Sequence, residues 1–258
     1  MDVFLKIPEE SPDYLAASAG VVDALSAIMQ QTIEQGRNRI FIQTNLKHDL
    51  PIENIRKVAG PLVEAWAREQ FKALADDASN AYKLLNVQAG KRLDPFDVIL
   101  QFKRPRAGGA AAPANVEVEP AAAEGLQTSG TSSNITSFAW LRSEYVQDPD
   151  SLFIILSLKH TVYGERDAVT GLTHGVMEVI ACAAYDLKYI SPPGLSYNPA
   201  LGTGQLQIRE VRYATLVERT TWEFLQMLDA KFIRSKGEAA WLALAGKHGW
   251  IKPDKMTG

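Results

Sequence analysis

Cysteine is almost absent from this sequence. Cys182 is the only one among 258 residues, so the chain can form no internal disulfide and no cysteine-based zinc site. The apolar run around it, "VMEVIACAAYDLKYI", predicts a strand, and a free cysteine on a buried strand behaves as a small, unreactive apolar residue. A chain without disulfides suits a reducing compartment, so we expect the cytoplasm.

Long hydrophobic runs are also lacking. The most apolar stretches, such as "VILQF" and "LFIIL", are far shorter than the roughly 20 residues that a membrane-spanning helix needs. The N-terminal stretch "MDVFLKIPEESPDYL" has no positively charged start followed by an apolar run, so it does not predict a signal peptide. We therefore expect no membrane partner.

Neither positive charge nor histidine is arranged in a binding pattern. The formal net charge is −3, so a nucleic acid could be bound only through a local basic surface. HxxxH and HxH spacings are absent, which argues against a histidine metal site. The four histidines are His48, His160, His174 and His248.

The chain does contain helical patterns near both ends and a series of strand-like runs between them. With 46% hydrophobic residues and 258 positions, it can bury a sizeable core. We predict a single α/β domain over residues 1–258, with a mixed, partly antiparallel central sheet flanked by helices. Residues 1–80 are its helical N-terminal part, and residues 81–258 its sheet and C-terminal helices.

Local patterns give sharper predictions at three places. Residues 51–77 have the spacing of a long amphipathic helix, which Pro61 is expected to kink or split. A later helix is predicted to begin after a cap at Ser133 or Asn134. The stretch "PPGLSYNPALGTGQ" is predicted to be a loop.

Acidic residues occupy the start of one strand-like run and a single face of the next. Asp97 leads "FDVILQF", and Glu117 and Glu119 alternate along "ANVEVEP", a spacing that puts two side chains on the same strand face. If these runs pair, three carboxylates meet at one point, and carboxylate oxygens are ligands that Mg²⁺ prefers. The other interpretation is a surface hairpin with solvated charges beside a low-complexity linker.

The order of these acids resembles the PD-(D/E)XK nuclease superfamily, the fold of most Type II restriction endonucleases. In that family an acid begins one strand, and a following strand carries acid–X–Lys or, more rarely, acid–X–Glu. Asp97 matches the first acid, Glu117 matches the second, and Glu119 stands at the lysine position. The chain departs from the pattern there and at Phe96, where the family often has proline.

This resemblance covers about residues 55–160 and implies a nuclease-like domain with a restriction-endonuclease-like core. It implies Mg²⁺-dependent, sequence-specific hydrolysis of double-stranded DNA by a homodimer that cuts a palindromic site. Asp97 and Glu117 would hold the metal ion. Glu119 would take the usual lysine's role and hold or deprotonate the attacking water.

A second candidate centre contains the literal acid–X–Lys pattern. Asp186 and Lys188, in "YDLKYIS", are predicted to share one face of a strand. The upstream acid of this centre would be Asp167, in a turn-rich link, or Glu178. On the helix before the first centre, Glu69 is a candidate auxiliary acid near the metal ion.

The segment "SYNPALGTGQLQIREVRY" has features of a base-recognition loop. The amides of Gln205 and Gln207 can read adenine in the major groove, and Arg209 and Arg212 can read guanine. The glycines of this segment allow the backbone to approach a ligand closely. The alternative interpretation is a structural turn between two strands.

Two other functions are compatible with the sequence. One is a non-catalytic DNA-binding or assembly protein that has kept a nuclease-like fold. The other is a structural protein of a phage or defence system that does not bind DNA. Metal-dependent cleavage distinguishes the enzyme from both, and DNA binding distinguishes the two alternatives from each other.

Overall fold

The protein is described as a computed structural model in two compact units. The sheet unit comprises Ala19–Thr131 and Ile154–Tyr185, and the terminal unit comprises Met1–Ser18, Ser132–Phe153 and Asp186–Gly258. Within these bounds the structure describes residues 4–48, 50–90, 97–103, 111–122, 133–200, 204–208 and 214–252. The expectation of one nuclease-like domain over residues 1–258 stays a prediction.

In the described part of the chain, helices are concentrated towards both ends, and the strands between them are interrupted by a single α-helix. The α-helices are α1 (Tyr14–Glu34), α2 (Ile52–Lys57), α3 (Ala59–Ala75), α4 (Phe138–Gln147), α5 (Thr221–Lys236) and α6 (Glu238–His248). Short 3₁₀ helices span Leu187–Tyr189 and Pro192–Gly194. The strands are β1 (Phe4–Leu5), β2 (Arg39–Ile42), β3 (Leu84–Ala89), β4 (Val98–Lys103), β5 (Ala111–Ala122), β6 (Ser133–Ser137), β7 (Leu152–Arg166), β8 (Thr173–Asp186), β9 (Leu195–Asn198), β10 (Gln205–Ile208) and β11 (Ile251–Lys252).

A six-stranded mixed sheet is the centre of the sheet unit. Its strand order is β2-β8-β7-β5-β4-β3, with antiparallel pairing of β2 to β8, β3 to β4 and β4 to β5. Helix α3 packs against β2, β3 and β5. Strand β7 begins with seven consecutive buried residues, as expected of a strand covered on both faces. The predicted mixed sheet flanked by helices is confirmed.

The long helix predicted over residues 51–77 is split, but not at its proline. Val58 ends α2 and begins α3, with φ −108° and ψ 8°. Pro61 is the third residue of α3, where the first turn has no intrahelical acceptor for its N–H groups. The missing N–H of proline therefore removes no helical hydrogen bond there, and Pro61 is accommodated inside the helix.

Two local predictions in the terminal unit are wrong. Helix α4 is capped by Ser137, whose side chain accepts the N–H of Trp140, and not by Ser133 or Asn134. Those earlier residues belong to β6, which pairs with β10. The stretch predicted as a loop contains β9, on the other side of β10. In both cases a strand forms because β10 satisfies its backbone groups, and for β6 that partner lies about 70 residues further along the chain.

The structure bears on two predictions that were based on long apolar runs and on the single cysteine. Among the described residues, no helix is both long and apolar enough to cross a bilayer. Cys182 lies on the predicted strand, β8, but is half-buried and not fully buried. Its Sγ lies 3.7 Å from the carbonyl oxygen of Ser26, and burial raises the pKa of the thiol, which keeps it in the less reactive protonated form.

Candidate active site

Strands β4 and β5 bring two of the predicted acids to facing positions. The strands are antiparallel, with Val98 opposite Val116. Continuing that register by one residue sets Asp97, which directly precedes β4, opposite Glu117. Facing residues of an antiparallel pair have Cβ atoms about 5 Å apart on the same face of the sheet. The predicted pairing of these two strands is confirmed.

The Asp97 carboxylate is fixed by a hydrogen bond from β5. Its Oδ2 accepts the backbone N–H of Val118, the residue after Glu117, at 2.9 Å. Burial raises the pKa of Asp97, while this hydrogen bond and the nearby guanidinium of Arg68 act to lower it. The carboxyl group is therefore held in one place and is partly withdrawn from water.

Glu64, on α3, adds a carboxyl group to the surroundings of Asp97. Burial and the negative charge of Asp97 raise the pKa of Glu64 to about 7. Arg68 lies four residues further along the same helix, so the two side chains are neighbours on its surface. Like charges held together in a desolvated place disfavour ionisation, and a cation bound there would relieve that repulsion.

The helix acid expected from the sequence was Glu69, which is exposed. The buried positions of α3 include Val63, Ala67 and Phe71, which form a stripe along one side of the helix. Glu64 directly follows Val63 and is half-buried, whereas Glu69, three residues after the buried Trp66, is exposed. The helical period places both acids beside the buried stripe, so it does not choose between them.

The donor set around Asp97 fits a hard divalent cation. Asp97 and Glu117 offer carboxylate oxygens from facing positions, and Mg²⁺ usually takes one or two protein carboxylates plus waters and substrate phosphate. Among the described residues, no group of three or more His, Cys, Asp or Glu is arranged to hold a metal ion. The side chain of Glu119, on β5, lies outside the described part of the structure.

Asp186 lies in a buried polar network of the terminal unit. The prediction that its strand continues through Lys188 is wrong, because β8 ends at Asp186 and a 3₁₀ helix follows. The Asp186 side chain caps this helix by accepting the N–H of Lys188 at 2.8 Å. Its Oδ2 also accepts the hydroxyl groups of Tyr14 and Ser18, at 3.0 and 2.7 Å.

The ammonium group of Lys188 contacts a carboxylate and an aromatic ring. Its Nζ donates to Glu10 at 2.6 Å and lies 3.1 Å from the ring centroid of Tyr14. The Lys188 side chain is wholly buried. Burial lowers the pKa of Lys188, and the hydrogen bond to Glu10 acts in the opposite direction.

The upstream acids proposed for this second centre have partners of their own. Asp167 lies in the turn between β7 and β8. Its Oδ1 accepts the N–H groups of Val169 and Thr170, at 2.9 and 2.6 Å. Glu178 accepts the hydroxyl group of Tyr163 at 2.7 Å. A catalytic role for Asp167, Asp186 and Lys188 stays a prediction, and every contact described for them is of a structural kind.

The residues predicted to contact DNA are described in part. Gln205 and Gln207 lie on β10, both half-buried, with the buried Leu206 between them. Arg209 and Arg212 lie outside the described residues. Base recognition by these four side chains stays a prediction.

Two comparisons with known proteins agree on a family. The profile of the Type II restriction endonuclease HpaI matches residues 1–249. The Type II restriction enzyme HpaI of Haemophilus parainfluenzae is 46% identical over 227 residues, which cover 88% of this chain and 88% of that protein. Both findings favour an enzyme over the non-catalytic alternatives and confirm the resemblance drawn from the acid pattern. The chain belongs to the HpaI family of Type II restriction endonucleases.

Proposed function

We propose that the protein is a Mg²⁺-dependent endonuclease that hydrolyses double-stranded DNA at a specific sequence, with Asp97 and Glu117 as metal ligands. The observation that carries the proposal is the facing position of these two acids across β4 and β5. The hydrogen bond from Val118 fixes one of them. The family to which the chain belongs supports the reaction class.

The residues around this pair have distinct roles in the proposal. Mg²⁺ bound there would supply a Lewis acid for the scissile phosphate and lower the pKa of a bound water. The guanidinium of Arg68 favours the ionised form of Asp97, which is the form that binds a cation. Glu119, at the lysine position of the family pattern, holds the attacking water and accepts its proton.

The assembly and location of the enzyme are also proposals. A homodimer matches the two-fold symmetry of a palindromic DNA site, and light scattering of the purified protein measures its mass. A cytoplasmic location suits a chain whose lone cysteine is unpaired, and cell fractionation tests it.

Plasmid cleavage by wild-type protein and by Glu117→Gln tests the proposed site. The wild type is expected to give discrete fragments with Mg²⁺ and none with EDTA. Glu117→Gln keeps the shape of the side chain but removes the charge that binds the cation, so cutting is expected to fall below detection. Glu34→Gln is the matched control, because Glu34 is exposed on α1, and it should cut like the wild type.

Binding measured in Ca²⁺ separates lost chemistry from lost folding. A gel shift on the same DNA should show that Glu117→Gln still binds. Full cutting by this variant, or wild-type cutting in EDTA, would show that the proposed metal site is wrong.

A further inference from the structure

The three-stranded sheet β6-β10-β9 of the terminal unit has an apolar face. Leu206 and Ile208 of β10 are each 1% exposed. Beside them on β9, the ring of Tyr197 packs against Phe138 and Phe232, with centroid distances of 5.9 and 5.5 Å. This face belongs to the core, so the alternate residues of both strands lie on the opposite face.

That opposite face carries neutral hydrogen-bonding side chains in matching register. Gln205 pairs with Asn198, and Gln207 pairs with Ser196. All four residues are half-buried and none carries a charge. The hydroxyl oxygen of Ser196 is itself buried, so the three amides are the groups that this face presents. Phosphates are bound chiefly through positive charge, whereas neutral amide and hydroxyl groups supply the donors and acceptors that match base edges.

The spacing of these side chains suits stacked base pairs. Residues two apart on a strand, such as Gln205 and Gln207, are about 6.8 Å apart, which is two steps of the roughly 3.4 Å rise along DNA. Paired residues on neighbouring strands are separated by about 4.8 Å. Strands placed in the major groove are an established geometry for reading sequence.

The amide of Asn198 is already oriented by the turn that follows β9. Its Oδ1 accepts the N–H of Ala200 at 3.0 Å. Among the described residues, the nitrogen of the same amide has no acceptor, so it can donate to a ligand, and the oxygen has a second lone pair. Preorganised groups of this kind lose little conformational entropy when they bind.

The first residue pair of the face is also fixed by the backbone. Gly204 precedes Gln205 with φ +96°, and a Cβ at this position would lie 2.1 Å from the hydroxyl oxygen of Tyr197. The carbonyl of Gly204 accepts the N–H of Phe138 at 3.1 Å. Only glycine fits there, so β10 starts at a defined point against the aromatic core.

We propose that this polar face, formed by Asn198, Gln205 and Gln207, reads bases in the major groove and takes adenines as its ligands. An amide can donate to adenine N7 and accept from its N6 amino group, the pairing that suits asparagine and glutamine. The inference rests on the proposed function, because it assumes a DNA substrate. It adds Asn198 and the sheet register to the two glutamines singled out in the sequence.

The test is a comparison of cleavage specificity between wild type and two variants. Sequencing the cut ends of a randomised duplex library defines the wild-type site, which is expected to contain A·T pairs. Gln205→Met keeps the length of the side chain but removes its polar atoms. Asn198→Asp keeps the oxygen that accepts the N–H of Ala200 but removes the amide nitrogen that would donate to a base. Each variant should cut that site about ten- to a hundredfold more slowly, and discrimination at one A·T position should approach unity.

Gln147→Met is the matched control, since Gln147 is exposed at the end of α4, and its specificity should not change. If Gln205→Met or Asn198→Asp fails to fold, Gln207→Met is measured in its place. The inference is overturned if folded variants keep full discrimination at every A·T position, or if the loss falls only on G·C positions. If the wild type cuts no DNA, the proposed function fails instead, and selection of bound duplexes from the same library tests the polar face separately.

Discussion

Asp97 in the sheet unit and Asp186 in the terminal unit both lie at the end of a strand, but Asp97 is half-buried, Asp186 is buried, and their surroundings differ. Asp97 receives one hydrogen bond from Val118 and raises the pKa of a second acid, Glu64. Asp186 accepts three hydrogen bonds, and the lysine of its motif is paired with Glu10.

A sequence motif and the better candidate site do not coincide in this protein. The terminal unit holds the literal acid–X–Lys sequence, yet its polar groups satisfy one another, as structural networks do. In the sheet unit the lysine is missing, but two carboxyl groups share a desolvated place, and the charge of Asp97 raises the pKa of Glu64. Carboxyl groups that shift each other's pKa in this way are a feature of functional sites, so the less regular motif is the better candidate.

The largest expected effect is the loss of cleavage by Asp97→Asn. A bound metal ion contributes several kcal/mol to the reaction, so the rate should fall about a thousandfold. The amide oxygen can still accept from Val118, and the raised pKa of Asp97 means that its charge weakens the fold at neutral pH. The variant should therefore melt no lower than the wild type in EDTA. A variant that cuts at the wild-type rate would show that Asp97 is not a metal ligand.

The next effect is a loss of stability in Lys188→Met. Removing one member of a buried ion pair costs about 3 kcal/mol, at the lower end of the usual range because Glu10 keeps its hydrogen bonds from Thr221. Urea unfolding measures the difference. Cleavage per folded molecule should be unchanged, and a selective loss of rate would instead favour the second candidate centre.

Asp186→Asn makes the same substitution in the other unit and should have a smaller effect on stability. The amide can keep the bond from Lys188, and the hydroxyls of Tyr14 and Ser18 can rotate to accept from its nitrogen. Burial also raises the pKa of Asp186, so removal of its charge offsets part of the cost of reversing the two hydroxyl hydrogen bonds. We expect a net loss of about 1 kcal/mol, seen as a melting temperature lower by roughly 2–4 °C. Cleavage at 25 °C should stay near the wild-type rate, unlike that of Asp97→Asn, and a thousandfold loss would instead favour the second candidate centre.

The smallest effect is a change in pH dependence in Glu64→Gln. Glu64 has a pKa of about 7 in the folded protein against an ordinary value of 4.5, so the folded state binds its proton more tightly. Its contribution to stability is complete below pH 4.5 and is lost as the pH rises to about 7. In EDTA, the melting temperature of Glu64→Gln relative to wild type should therefore rise between pH 5 and pH 8.

Glu69→Gln is the control for that measurement, because Glu69 lies on the same helix and is exposed. Its melting temperature should follow the wild type at every pH. An equal response in the two variants would mean that Glu64 is not part of the acid cluster.

Several features of the candidate site were accessible from sequence because they depend on short-range patterns. The alternation of Glu117 and Glu119 predicts a strand with both on one face, and the apolar run after Asp97 predicts β4. Glu69 was singled out and Glu64 was not, because the helical period places both beside the buried stripe of α3. The start of α4 was misplaced because residues before Ser137 pair with β10, a contact that no local pattern reveals.

Side-chain chemistry and periodicity are enough to indicate the family, the strand-forming runs and the candidate acids. Which of these acids have neighbours depends on the fold. The antiparallel register sets Asp97 opposite Glu117, and the packing of α3 brings Glu64 close enough to shift its pKa. Such proximity arises because folding joins segments that are far apart in the chain, and carboxylates interact strongly only when burial removes the water between them.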